Sequence, residues 1–220
     1  MQTQSGARPM ESPTTVFTNN IDRIYDSNPE SFAQAYINYL HSVLMRIDAA
    51  EIGQFICTLL ASRASGATVF FIGNGGSAAT ASHFANDLAI GTNVYDKPFR
   101  VLSLTDNLPM ITAIGNDFGY EEIFARQLRI LGKKGDVLVG ISASGNSPNL
   151  IKAFDYAMAA GIKTVAITAF DGGRLKAMAD EGIHVPTGPK EYGPAEDAHM
   201  VLDHLVGAYL TRYVRGNDQS

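Results

Sequence analysis

The strongest constraint on this chain is an alternation. Five short, largely apolar runs, at 68–72, 100–104, 136–141, 163–168 and 182–186, are each followed by a stretch in which apolar residues recur at helical spacing. The first, Thr68-Val69-Phe70-Phe71-Ile72, stops at Gly73 and has the unbroken apolar character of a strand covered on both faces. Helices are expected near 78–90, 108–114, 148–160, 174–179 and 194–214. Strand–helix–strand repetition implies right-handed crossovers and an all-parallel sheet with helices packed against it. Ligands in such sheets bind beyond the carboxyl ends of the strands, so the chemistry is sought there.

Two further helices precede the alternation, within 31–64. Phe32, Ala35, Tyr36, Tyr39, Leu40, Val43 and Leu44 recur at helical spacing, and Asp48 is placed to cap the second helix with Glu51 in the capping-box position. The plan is therefore one α/β domain over 31–214, with tails at 1–30 and 215–220. A length of 220 residues suits one well-buried core better than two domains. A net charge of -5 argues against nucleic acid or an anionic membrane as the main partner. No run is apolar enough to span a bilayer, and the polar stretch from Met1 to Thr15 lacks a signal-peptide core. The single cysteine, Cys57, excludes an internal disulfide and reads as a buried core thiol in a reducing compartment. A cytoplasmic protein is expected.

Three strand ends carry unusual loops: Gly73-Asn74-Gly75-Gly76-Ser77, Ser142-Ala143-Ser144-Gly145-Asn146-Ser147-Pro148 and Asp171-Gly172-Gly173. In the middle one, serine hydroxyls and an asparagine offer donors, Gly145 lets the backbone turn, and Ser147-Pro148 opens a helix. A helix N-terminus with exposed amides is a phosphate site. A single loop of this kind is no more than a capped turn, but two, each after a buried strand, point to an anionic ligand. The first loop has Ala78 where a dinucleotide fingerprint needs its third glycine, and no GxxxxGK[ST] motif occurs.

His83 and Asp87 lie four residues apart, on one face of the helix after the first loop. Glu196, Asp197, His199, Asp203 and His204 crowd the start of the last helix. Such groups can supply tetrahedral metal ligands, an acid and a base, or merely a solvated helix start. Asn116-Asp117-Phe118-Gly119 reads as a turn, and Lys190 and Tyr192 lie near enough in sequence to reach a ligand.

Together these segments, with His83-Phe84-Ala85, Gly115-Asn116-Asp117-Phe118-Gly119 and Gly135-Asp136-Val137-Leu138, resemble the sugar isomerase (SIS) domain family and, within it, the phosphoheptose isomerases, from about residue 30 to 213. The resemblance implies a three-layer α/β/α sandwich around a five-stranded parallel flavodoxin-like sheet. It implies a homotetramer with active sites between subunits, and isomerisation of sedoheptulose 7-phosphate through an enediol(ate). It places substrate contacts at Asn74, Gly75, Gly76, Asn116, Asp117, Ser142, Ala143, Ser144, Ser147 and Glu196. It implies one zinc per subunit on His83, Asp87, Glu196 and His204, with Asp87 and His204 as the proton-transfer pair. Where the family has glutamate, this chain has Asp87; where it has glutamine, this chain has Glu196; and Gly193-Pro194 replaces the family's Asp-Arg. Two other outcomes remain open here. One is an isomerase of another sugar phosphate. The other is a non-catalytic binding protein, like the SIS relative that binds a replication initiator.

Overall fold

A computed structural model of the chain describes residues 19–217. Of the tails expected at 1–30 and 215–220, residues 1–18 and 218–220 lie outside the described residues. Residues 19–30 form the short helix α1 (Asn20–Ile24) and the entry to α2 (Pro29–Leu44). Asn28 caps α2 by accepting from the Glu30 and Ser31 amides, with Pro29 in the first turn, where its missing N–H costs nothing. α3 (Ala49–Ser65) begins at Asp48, whose carboxylate accepts from the Ala50 amide. The capping box does not close, because Glu51 accepts instead from the His184 amide at 2.8 Å, tying α3 to the far edge of the sheet.

The alternation follows as β1 (Thr68–Gly73), α4 (Gly76–Asn86), β2 (Arg100–Ser103), α5 (Leu108–Phe118), α6 (Ile123–Leu131), β3 (Val137–Ser142), α7 (Pro148–Ala160), β4 (Lys163–Thr168), α8 (Gly173–Met178), β5 (Glu181–His184) and α9 (Tyr192–Asn217). All strand pairs are parallel, in the order β2-β1-β3-β4-β5, the flavodoxin-like order. Successive residues of β1 point to opposite faces. Val69 and Phe71 join a core formed with α3, α4 and α9; Phe70 and Ile72 join a second core with α5, α6 and α7. Three layers result, and each fully buried Phe or Leu contributes about 1.5–3 kcal/mol through burial.

Two readings are corrected. Residues 116–118 are the last turn of α5 rather than a separate turn, and the chain reverses at Gly119, where φ is +95°. Cys57 is exposed. Phe55, Ile56 and Leu59 face the core, and at about 100° per residue that leaves position 57 on the opposite side of the helix.

Strand order changes direction between β1 and β3, so a crevice opens at their carboxyl ends. The loops after Gly73 and Ser142 meet there. Among the described residues, no helix is long and apolar enough to cross a membrane.

Candidate active site

The crevice between β1 and β3 holds a cavity of ≈ 130 Å³ lined by Asn74, Ser77, Ser142, Ala143, Ser144, Ser147 and Glu196, with Tyr192 at its edge. Two helices start on it, α4 and α7. Elsewhere α2, α3 and α5 begin with a capping side chain from Asn28, Asp48 and Asn107. α4 and α7 do not: Gly75 has no side chain to offer, and Ser147 makes no capping bond although it occupies the cap position. The Gly76 and Ser77 amides of α4 and the Asn149 amide of α7 therefore have no capping side chain, and two positive helix ends meet at one cavity.

The loops are rigidly set. Asn74 and Asn149 exchange amide hydrogen bonds at 2.9 and 2.8 Å, and the Tyr120 hydroxyl donates to Asn74 Oδ1 at 3.0 Å. Asn149 is buried at the second position of α7, so the pair locks the two helix starts together. Gly145 has φ +62°, and a Cβ there would stand 1.9 Å from the Gly172 carbonyl oxygen; one on Gly173 would stand 2.3 Å from the Ser144 oxygen. The second and third glycine-bearing loops interlock through these bare positions, aided by a 2.9 Å bond from the Leu175 amide to the Gly145 oxygen. At Gly76 the space a side chain would need is filled by the Glu196 carboxylate, 2.2 Å from the position of a Cβ. Burial, with the charge of Asp197 beside it, pushes the Glu196 carboxyl above the usual range.

Further along α4, His83 and Asp87 face α9. His83 Nε2 is 3.5 Å from Asp87 Oδ2, 3.8 Å from Asp203 Oδ2 and 3.3 Å from His204 Nε2. Each of these four residues offers a donor atom within 4.8 Å of all the others. Asp87 opens a π-helical turn, Asp87–Gly91, that continues α4; such turns are frequent at functional sites. Gly207 of α9 lies beside Asp87. Asp203 is fully buried and neither of its carboxylate oxygens has a hydrogen-bond partner. Burial, then the nearby Asp87, raises it to about 7. Two imidazoles and two carboxylates, one of them buried with unmatched oxygens, fit a first-row divalent cation.

The structure thus brings His83, Asp87 and His204 together and adds Asp203, while Glu196 lies with the serine loop and outside the cation group. Asn116 and Asp117 are exposed, and neither lines the loop cavity. Their neighbours Phe118 and Tyr120 line an adjoining cleft of ≈ 450 Å³ that shares Asn74 and Ser147. His199 faces the core, where burial holds it down to about 4 and therefore neutral. Asn149 and Tyr120 escape sequence reasoning. An asparagine so early in an otherwise apolar helix is the one local signal for the first, because its side chain competes with the helix backbone.

The profile of the SIS domain family matches residues 32–169. The phosphoheptose isomerase of Burkholderia pseudomallei (strain 1710b) is 43% identical over 160 residues, 71% of this chain and 79% of that protein. That of Helicobacter pylori (strain Shi470) is 40% identical over 145 residues, 66% of this chain and 74% of the relative. Among solved structures, phosphoheptose isomerase GmhA from Neisseria gonorrhoeae superposes with a TM-score of 0.74 at 30% identity, covering 82% of this chain and 97% of the other. With the sheet order, the interlocked serine and glycine loops and the His/Asp group in place, these likenesses establish that the chain belongs to the SIS-domain family, among the phosphoheptose isomerases.

Proposed function

We propose that the protein is an aldose–ketose isomerase that interconverts sedoheptulose 7-phosphate and D-glycero-D-manno-heptose 7-phosphate. The observation that carries this reading is the placement of two different kinds of site along one helix. α4 starts, uncapped, in the serine cavity and further on presents His83 and Asp87 to α9. From Gly76 to His83 the helix rises about 10 Å, comparable with the length of an open seven-carbon sugar phosphate. The phosphate then sits on the amides and hydroxyls around Ser142, Ala143, Ser144 and Ser147, with Asn74, Gly75 and Gly76 on its other side. C1 and C2 lie against Asp87 and His204. Asn116 and Asp117 are assigned to the sugar rim from the family resemblance, and Glu196 to a sugar hydroxyl.

In this mechanism one of Asp87 and His204 removes a proton from the carbon beside the carbonyl and returns it to the neighbouring carbon. The other moves a proton between O1 and O2, through an enediol(ate). A divalent cation, zinc by the family resemblance, bound at His83, Asp87 and His204 supplies polarisation of the sugar oxygens. Val201, Leu205, Tyr209 and Tyr213 recur every four residues on α9 and are each at least 39% exposed. This apolar stripe beside the His/Asp group supports a homotetramer with its sites near subunit contacts. The acidic net charge and single thiol support a cytoplasmic enzyme acting on a small molecule.

The test is turnover of a panel of C5 to C7 ketose phosphates. Asp87→Asn and His204→Ala are expected to abolish conversion while sugar-phosphate binding persists. Undiminished turnover in either variant removes the assigned pair. Binding without turnover by the unaltered chain replaces the enzyme with a binding protein.

A further inference from the structure

We infer that Asp203, rather than Glu196, completes the cation site of this chain, giving a donor set of two imidazoles and two carboxylates. The inference deepens the proposed isomerase reading and rests on it for the setting of the site. Four observations carry it. Asp203 is entirely buried, yet neither carboxylate oxygen has a hydrogen-bond partner, a state that a structural carboxylate avoids. Its Oδ2 lies 3.8 Å from His83 Nε2, and its donor atom falls within the same 4.8 Å group as those of Asp87 and His204. The Glu196 carboxylate is outside that group and occupies the space above Gly76, against the loop cavity. Finally, a buried carboxylate facing a second carboxylate, Asp87, is costly unless a cation sits between them.

The charge follows from the donors. Two carboxylates would neutralise a divalent ion, and neutral imidazoles would complete a set of four nitrogen and oxygen donors without thiolate, which a sugar oxygen would join as a further donor. Glu196 is then free of the metal and can meet the sugar.

The experiment uses the full chain, stripped with chelator and titrated with zinc and with cobalt(II). Readouts are metal per chain, affinity against a competing dye, the visible spectrum of bound cobalt, and the melting temperature with and without metal. The unaltered chain is expected to bind one ion. Glu196→Ala, which leaves no donor at that position, is expected to match it within about threefold. Asp203→Asn and Asp203→Leu are expected to bind about 100-fold more weakly or worse, because even residues behind a ligand are worth 10–100-fold. Without metal, both Asp203 variants should melt no lower than the unaltered chain, and zinc should raise only the latter. The inference is overturned if Glu196→Ala loses the ion while Asp203→Leu keeps it, or if the unaltered chain binds none. It is equally overturned if both Asp203 variants fail to fold without metal, since the carboxylate is then structural. Turnover is measured on the same samples. An ion held through Asp203 with no sugar phosphate converted defeats the isomerase reading alone. Conversion with the ion indifferent to Asp203 defeats this inference alone.

Discussion

Adding one methyl group at Gly145 separates two effects that are usually confounded. Gly145 and Gly135 both have positive φ, +62° and +91°, but a Cβ at 135 meets nothing within 4 Å whereas one at 145 meets the Gly172 oxygen at 1.9 Å. Gly135→Ala therefore costs only the backbone preference, about 1–2 kcal/mol. Gly145→Ala adds a collision with main chain, which cannot rotate away; overpacking of this kind costs about 1–3 kcal/mol more. At about 2–4 °C per kcal/mol for a chain of this size, the expected losses in Tm are about 2–8 °C and about 4–20 °C. The functional difference is larger in kind. Relieving the collision must part the loop at 142–148 from the loop at 171–173, moving the serines of the cavity. Loss of one or two hydrogen bonds to a charged group, about 1.5–3 kcal/mol each, weakens sugar-phosphate binding about tenfold or more. Calorimetric titration with a sugar phosphate, beside thermal melts of both variants, checks this. Equal melting losses in the two variants, or unchanged binding by Gly145→Ala, would refute the claim that interlocked loops shape the phosphate cavity.

Two other outcomes follow from buried polar contacts. Asn149→Leu leaves the Asn74 amide without its reciprocal partner and should cost about 1–3 kcal/mol in urea unfolding, with weakened phosphate binding; an unchanged midpoint contradicts it. Glu191 accepts from the Tyr39 hydroxyl and, at 2.7 Å each, from the Asn20 and Gly188 amides. Burial acts to raise its carboxyl, but these hydrogen bonds prevail and hold it below its ordinary value of 4.5. A carboxyl lowered by folding stabilises the protein above its unfolded pKa, and that contribution fades as pH falls through the folded value. The advantage of the unaltered chain over Glu191→Gln, at least about 2 kcal/mol at pH 7, should therefore shrink steadily once the pH drops below 4.5. Unfolding midpoints between neutral and acidic pH show whether it does.

The inner strands could be read from the sequence because they are covered on both faces, so Val69 to Ile72 and Val137 to Ile141 appear as unbroken apolar runs, whereas the edge strands β2 and β5 were legible from their place in the alternation. The loops were legible because glycine and serine at strand ends have few other uses. α6 was not, since Ile123, Phe124 and Leu128 follow a polar turn and carry only a short apolar face. Cys57 misled because an apolar stretch does not say which side of a helix each member takes. Asp203 and His204 are neighbours on one helix, and sequence offers no means to tell that the first is sunk in the interior while the second stays exposed. Glu196 illustrates the converse: its place above Gly76 depends on how closely α9 passes the first loop, which is a matter of packing.

That closeness bears on how the protein is made. Translation completes every strand and both glycine–serine loops before residue 196 is added, so a nascent chain with its sheet assembled still lacks one wall of the pocket, as well as His204 opposite His83. Ligand cannot lend its RT ln(1 + [L]/Kd) of stability to such an intermediate. Until the carboxyl-terminal helix docks, the half-made enzyme lacks both that contribution and the share of its first core that Ala195, Ala198, Leu202 and Val206 supply.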